Sequence, residues 1–118
     1  MKKYEREADI EAKLRDAAKA AGGKAFKFVS PGNAGVPDRI VVLPAGKIGF
    51  VELKQQGKKT TKLQKVQIRK LLDMGVYATV LDHPDQIQSV IENIRKTPMT
   101  ATELSQVKDS LKSQGQII

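Results

Sequence analysis

The stretch Phe50-Val51-Glu52-Leu53-Lys54 decides the fold prediction, because it ends an otherwise apolar strand with an acid and a base. Side chains alternate between the two faces of a strand, so Glu52 and Lys54 point to the same side. Burying an acid and a base on a core strand is costly unless they are paired or bind a ligand. The stretch therefore predicts either a structural ion pair or a binding site.

A second apolar run, Ile40–Leu43, comes before this strand, and Pro44-Ala45-Gly46-Lys47 between the two predicts a hairpin turn. In a hairpin the start of the first strand lies beside the end of the second, so Asp38 is expected close to Glu52 and Lys54. Two carboxylates at a strand end suit a hard divalent cation such as Mg²⁺, and the lysine could orient the attacking water or neutralise a phosphate. A turn aspartate beside a solvated Glu-x-Lys pair is the structural alternative.

The whole sequence predicts an α/β fold in the order α-β-β-β-α-β-α. Apolar residues spaced three and four apart indicate helices, and short runs of β-formers bounded by glycine or proline indicate strands. The predicted elements are a helix over 4–21, strands over 25–29, 40–43 and 48–54, a helix over 61–74, a strand over 76–81 and a helix over 84–95. We assign residues 1–96 to this domain and 97–118 to a linker and a C-terminal helix.

The C-terminal helix is predicted to begin near Thr100, whose spacing to Glu103 is that of a capping box. Its apolar stripe is narrow and consists of Leu104, Val107 and Leu111. We expect this stripe to pack on its own domain, and a partner chain is the alternative.

Composition excludes several classes of protein. The 118 residues contain no cysteine and one histidine, which removes disulfide frameworks, thiol catalysis, cysteine-ligated zinc and multi-histidine metal sites. No apolar run approaches the length of a membrane span. The net charge of +8 favours a polyanionic partner.

Much of the positive charge lies in one stretch, which contains no acid before Asp73. Its seven positive residues are Lys54, Lys58, Lys59, Lys62, Lys65, Arg69 and Lys70. Such a stretch is often only a solvated helix face. Because it begins at Lys54, beside Glu52, we predict that it binds nucleic-acid phosphates.

Three motifs stand in a recognisable spacing: Gly35-Val36-Pro37-Asp38-Arg39, Phe50-Val51-Glu52-Leu53-Lys54, and Leu63-Gln64 followed by Leu72 and Gly75. In these motifs the chain resembles the VRR-NUC family of the PD-(D/E)xK nuclease superfamily, and the resemblance extends over about residues 7–94. It implies a central mixed β-sheet flanked by helices and Mg²⁺- or Mn²⁺-dependent hydrolysis of phosphodiesters. Stand-alone phage and bacterial members are similar in size, and for these short members the resemblance implies a homodimer that cuts four-way (Holliday) junctions.

The resemblance also implies roles for individual residues. Asp38 and Glu52 would be metal ligands, with the carbonyl of Leu53 a possible third, and Lys54 would be the catalytic lysine. The superfamily usually adds an acid from the first helix. We choose Glu11 as this catalytic acid and as a further metal ligand, with Glu7 one turn earlier as the competitor.

Two more positions match the family. Gln64 matches a family glutamine that could reach the metal-bound water or a phosphate, although Thr61-x-x-Gln64 is also a capping box and both roles could hold together. Lys27 matches a recurrent lysine that could contact a phosphate. The predicted DNA-binding residues are therefore Lys27, Lys58, Lys59, Lys62, Lys65 and Arg69.

The sequence-based hypothesis is a structure-selective DNA endonuclease, cytoplasmic in a bacterial cell or a phage-infected host. One alternative is a non-catalytic basic DNA-binding module, in which Glu52 and Lys54 form only a structural pair. A second keeps the chemistry but acts on flaps or duplex DNA.

Overall fold

The structure, a computed structural model, describes residues 5–118 as a mixed four-stranded sheet with helices on both faces. Its elements are α1 (Glu7–Ala20), β1 (Lys24–Lys27), β2 (Arg39–Leu43), β3 (Lys47–Leu53), α2 (Lys62–Asp73), β4 (Ala78–Leu81), α3 (Ile87–Arg95) and α4 (Ala101–Ser113). The predicted order and α/β class are confirmed. The predicted start of the first helix, Tyr4, lies outside the described residues.

The sheet has the strand order β1-β2-β3-β4. Neighbouring strands are antiparallel except for β3 and β4, which are parallel. The predicted hairpin joins β2 to β3 through a short 3₁₀ turn over Pro44–Gly46, in which Ala45 has a φ of 70°. Its register pairs Arg39 with Val51, so Asp38, one residue earlier, lies at the end of β3.

One face of the sheet is covered by α1 and α3. Ile10 and Leu14 lie one turn apart on α1 and are fully buried, as the helical spacing predicted. They belong to a core cluster with apolar side chains of β2 and β3 and with the buried stripe of α3, Ile87, Val90, Ile91 and Ile94. Burial at this depth stabilises each large aliphatic side chain by about 2 kcal/mol.

The other face is covered only in part, because α2 and α4 both contact β4 at one edge of the sheet. Over β1, β2 and the start of β3 this face is open, with Phe26 45% and Ile48 44% exposed. Register pairs Phe26 with Ile40 and Ile40 with Phe50, so these apolar side chains are neighbours. We call Phe26, Ile40, Ile48 and Phe50 the open sheet face.

Helix α4 packs against α2 and β4. Leu104 and Leu111 on its stripe are buried with Ile68 and Leu72 of α2 and with Ile117, which follows the helix. The stripe therefore packs on its own domain in this structure, and the division of the chain at residue 96 stays a prediction. In the described chain, no helix combines the length and the apolar character needed to cross a membrane.

Candidate active site

Two carboxylates meet at the end of β3. Glu52 is only 4% exposed and points to the face that carries α2. The Oδ1 atom of Asp38 accepts a hydrogen bond of 3.0 Å from the main-chain N–H of Leu53. This bond ties Asp38 to the strand between Glu52 and Lys54, so the structure brings the three predicted residues together.

The carboxyl group of Glu52 lies in a place that disfavours its charge. Burial, with a further contribution from Asp38, raises its pKa from 4.5 to about 8. Glu7 acts in the same direction, and the positive charges of Lys54 and Arg39 oppose the shift. A cation bound between Glu52 and Asp38 would relieve both the burial cost and the repulsion.

Gln64 forms the predicted capping box and also contacts Glu52, while its reach to a metal-bound water or a phosphate stays a prediction. Its main-chain N–H donates to the Thr61 hydroxyl, and its Oε1 accepts from the Thr61 N–H at 2.9 Å, which completes the capping box at the start of α2. Its Nε2 then donates to Glu52 Oε1 at 3.3 Å. One side chain therefore caps the helix and orients the buried carboxyl group.

The two acids of α1 differ in their partners. Glu11 is held in ion pairs with Arg39 at 2.9 Å and with Arg15 at 2.6 Å. Glu7 is exposed, forms no ion pair with any residue of 5–118, and is the α1 acid whose charge raises the pKa of Glu52. The geometry thus gives no support to the preference for Glu11 over Glu7.

Arg39 is a site residue that sequence reasoning missed. Its side chain is 14% exposed, and its guanidinium group donates to Glu11 and to the main-chain oxygen of Asp38 at 2.8 Å. It also lies 3.5 Å from Asp38 Oδ2. The sequence did contain a signal for this position. Successive side chains of a strand point to opposite faces, so if Asp38 faces the site, Arg39 must face α1.

A glycine lets the loop before β2 approach α2 closely. Gly35 has a φ of +88°, and a Cβ atom at this position would lie 2.9 Å from the main-chain carbon of Leu63. The amide of Gln67 donates to the Ala34 carbonyl at 3.3 Å, which adds a second tie between the loop and α2. Asp38 and Gln64 thus belong to segments that pack against each other.

Comparison with known proteins gives the chain a family. No family model matches the sequence. The chain is 49% identical over 80 residues to "Putative nuclease p44" of Acyrthosiphon pisum secondary endosymbiont phage 1, which covers 68% of this chain and 86% of that protein. It is also similar to a solved structure described as a VRR_NUC domain, with a TM-score of 0.70, 28% identity, and coverage of 75% of this chain and 96% of that one. The chain belongs to the VRR-NUC family of nucleases.

VRR-NUC nucleases use divalent metal ions, and the donor atoms at the end of β3 fit such an ion. Asp38, Glu52 and the Leu53 carbonyl offer only oxygen atoms, which Mg²⁺ and Mn²⁺ prefer. Among residues 5–118 no group of three or more acidic or histidine side chains is arranged to hold a metal. The fit therefore depends on two carboxylates, as is usual for Mg²⁺, which keeps several waters of its own.

The basic residues predicted for this VRR-NUC nuclease fall into two groups. Lys27, Lys58, Lys59 and Lys62 are exposed. Lys65 and Arg69 instead make contacts within the protein: the ammonium group of Lys65 donates to Thr60 and Gly115, and Arg69 binds Asp73 and the main-chain oxygen of Ile118.

Proposed function

We propose that this VRR-NUC nuclease is a Mg²⁺- or Mn²⁺-dependent endodeoxyribonuclease that cuts four-way junctions as a homodimer. The observation that carries the proposal is the burial of Glu52 beside Asp38 at the end of β3, with Lys54 next to them. Their partners compensate this carboxyl pair only in part, since the pKa of Glu52 stays raised to about 8, and such a pair is costly in a purely structural role. It is useful when a cation and a phosphate complete the site.

Each residue at the end of β3 then has a role. The carboxylates of Asp38 and Glu52 and the carbonyl of Leu53 would hold the metal ion. When bound, such an ion would lower the pKa of a water molecule and neutralise charge on the scissile phosphate. Lys54 stabilises the negative charge that develops on that phosphate.

The surrounding residues orient this set. Gln64 holds the Glu52 carboxylate through its 3.3 Å hydrogen bond. We assign the α1 acid to Glu7, because Glu11 is already held by two arginines. Arg39 is a positioning residue, since it links Glu11 to Asp38 and keeps the Asp38 main chain in place.

DNA phosphates would be bound by exposed basic residues close to the candidate site. We assign this role to Lys27, Lys58, Lys59 and Lys62. Lys65 and Arg69 hold neighbouring main-chain oxygens, so we assign them a structural role. Phosphate contacts of this kind give affinity that depends steeply on salt and little on sequence.

A four-way junction requires two incisions, which a two-fold dimer supplies with two equivalent sites. The open sheet face is the surface that suits a second copy, because apolar side chains there gain nothing from a phosphate backbone. It lies on the same side of the sheet as Glu52, so pairing through it would bring two sites onto one assembly. Replacing Ile48 by Lys is the variant that tests this surface.

The test is a cleavage panel of four-way junction, flap, splayed arm and duplex, each with Mg²⁺ and with Mn²⁺. We expect paired symmetric cuts in the junction, loss of cleavage in the Asp38→Ala/Glu52→Ala double variant, and nearly unchanged DNA binding by that variant. Full cleavage by the double variant would contradict the proposed site. Preferential cleavage of flaps or duplex would change the substrate, and DNA binding without cleavage in either metal would favour a non-catalytic module.

A further inference from the structure

Gln116 is a fully buried polar side chain in the segment that follows α4. The helix ends at Ser113, and Gly115, two residues later, has a φ of +73° that reverses the chain. The N–H of Gly115 then donates to the Lys112 carbonyl and that of Gln116 to the Leu111 carbonyl, which is the Schellman arrangement. This turn directs Gln116 away from the helix and onto the loop that leaves β3.

The contacts of Gln116 are with the main chain of that loop, residues 55–60. Its Oε1 accepts from the Thr60 N–H at 2.9 Å, and its Nε2 donates to the Lys58 carbonyl at 3.1 Å. Its own main-chain oxygen accepts from the Thr60 hydroxyl at 2.8 Å. Lys65 of α2 closes the network by donating to the Thr60 oxygens and to the Gly115 carbonyl.

The other end of the loop is held as well. The N–H of Gln56 donates to the Glu5 carbonyl at 3.0 Å, and the Glu5 N–H donates back to Gln56 Oε1 at 3.0 Å. Between these two anchors lie the exposed Lys58 and Lys59. The loop is therefore a short basic turn that starts directly after Lys54 and is held by hydrogen bonds at both ends, to Glu5 at one and to Gln116 at the other.

We propose that Gln116 is a positioning residue for DNA binding, which holds the 55–60 loop so that Lys58 and Lys59 present their charges beside the candidate site. This inference rests on the proposed DNA nuclease function. A free loop of this kind would lose conformational entropy at each residue that DNA binding orders. A loop that is already ordered avoids this cost and binds more tightly.

The amide group, rather than the volume of the side chain, carries the inference. A buried amide is costly unless it is hydrogen-bonded, whereas an apolar side chain of similar size fills the same space without that requirement. Both polar atoms of the Gln116 side chain bind main-chain atoms of the loop. Gln116→Met keeps most of the volume and removes both bonds, so it separates positioning from packing.

The experiment compares Gln116→Met with Gln114→Met, the same replacement at an exposed position two residues earlier. DNA binding is measured in EDTA over a series of salt concentrations, and cleavage is measured with Mg²⁺ over a series of DNA concentrations. For Gln116→Met we expect Kd and KM to rise about 10-fold while kcat stays within about twofold of wild type. The slope of log Kd against log salt should fall by up to about 1.8, because two phosphate contacts are weakened.

Two further measurements complete the test. Hydrogen exchange at the Thr60 amide should speed up in Gln116→Met and stay unchanged in Gln114→Met. In a Lys58→Ala/Lys59→Ala background, Gln116→Met should weaken binding no further, since both changes act on the same contacts. Wild-type Kd, KM and salt slope in Gln116→Met, or equal effects of the two methionine variants, would overturn the inference. If wild type itself neither binds nor cuts DNA, the proposed function fails instead.

Discussion

Glu52 and Gln116 are both buried polar side chains, yet their surroundings are opposite. Gln116 is 0% exposed, and each polar atom of its side chain has a main-chain partner. Glu52 is 4% exposed and accepts a single hydrogen bond of 3.3 Å within the described chain, while burial and Asp38 raise its pKa to about 8. The first residue is satisfied by the fold, whereas the second is a carboxyl group whose charged form the fold disfavours.

This difference separates buried polar residues that stabilise the fold from those that are suited to bind a ligand. Burying a satisfied amide contributes hydrogen bonds, whereas burying a carboxyl group beside a second acid lowers stability unless a cation binds. The same contrast recurs on α1, where Glu11 is paired with two arginines and Glu7 is unpaired among residues 5–118. Variants at Glu52, Gln64, Glu7 and Glu11 test whether this contrast predicts function.

The largest effect is expected for Glu52→Gln, which removes the charge but keeps the shape. Cleavage should fall at least about 100-fold. Removing a metal ligand should reduce activity more than removing a residue that only hydrogen-bonds to a ligand, which typically costs about 10- to 100-fold. Without metal at pH 8, the same variant should unfold on the order of 4 °C higher than wild type, since the buried charge is gone. Thermal unfolding in EDTA and junction cleavage in Mg²⁺ measure the two effects.

The increase in Tm caused by Glu52→Gln should depend on pH with a defined sign. The pKa of Glu52 is 4.5 in the unfolded chain and about 8 in the fold, so the unfolded state loses its proton at a lower pH than the folded state. Wild-type stability therefore falls as pH rises between these values, and the Tm difference from Glu52→Gln should be near zero at pH 4 and widen up to pH 8. The charged groups Asp38, Glu7, Lys54 and Arg39 face Glu52 in both proteins. A difference that is constant with pH would show that charge burial is not the cause.

Gln64→Glu separates the two roles of Gln64. Glutamate can complete the capping box with Thr61, so any fall in Tm should come from the third acid beside Glu52 and not from the loss of the cap. It cannot donate to the Glu52 carboxylate and adds a third acid there, so cleavage should fall about 10- to 100-fold. Gln64→Ala, which loses both contacts, is the control. If Gln64→Ala shows a large drop in Tm and both variants cleave as wild type does, Gln64 has only a capping role.

The smallest effect is expected from the α1 acids. Glu7→Gln should lower the cleavage rate about 10-fold and leave Tm nearly unchanged, because Glu7 has no ion pair to lose within the described residues. Glu11→Gln should reduce Tm, since it weakens the partly buried pair with Arg39. Cleavage rates with Mg²⁺ and thermal unfolding are compared for both variants. The reverse pattern would return the role of the α1 acid to Glu11.

Much of the fold was predictable because its signals are local. The alternation in Phe50–Lys54 and the glycine in the turn after Leu43 predicted the hairpin, and the register of that hairpin brings Asp38 to Glu52. The capping boxes at Thr61 and Thr100 were also visible as spacings of three residues, and both form. Patterns of this kind depend only on helix and strand geometry, so they can be recognised without knowledge of distant contacts.

The partners of the charged side chains were not predictable in the same way. The pairing of Glu11 with Arg39 joins residues 28 apart, and the bond between Lys65 and the Gly115 carbonyl joins residues 50 apart. A glutamate on a lysine-rich helix and a lysine in a basic run look alike in sequence whether or not they have partners. The preference for Glu11 and the assignment of Lys65 and Arg69 to DNA both rested on that ambiguity.

The sequence by itself determined the order of the elements, the hairpin, and the approach of Asp38, Glu52 and Lys54, because short-range periodicity and one tight turn specify them. Only the tertiary structure decided which polar groups are satisfied. It paired Glu11 with Arg39, buried Glu52 under α2, and placed Gln116 against Thr60. The physical reason is that burial and hydrogen bonding depend on which surfaces meet in space, and helices that cover a sheet bring together residues that no local pattern connects.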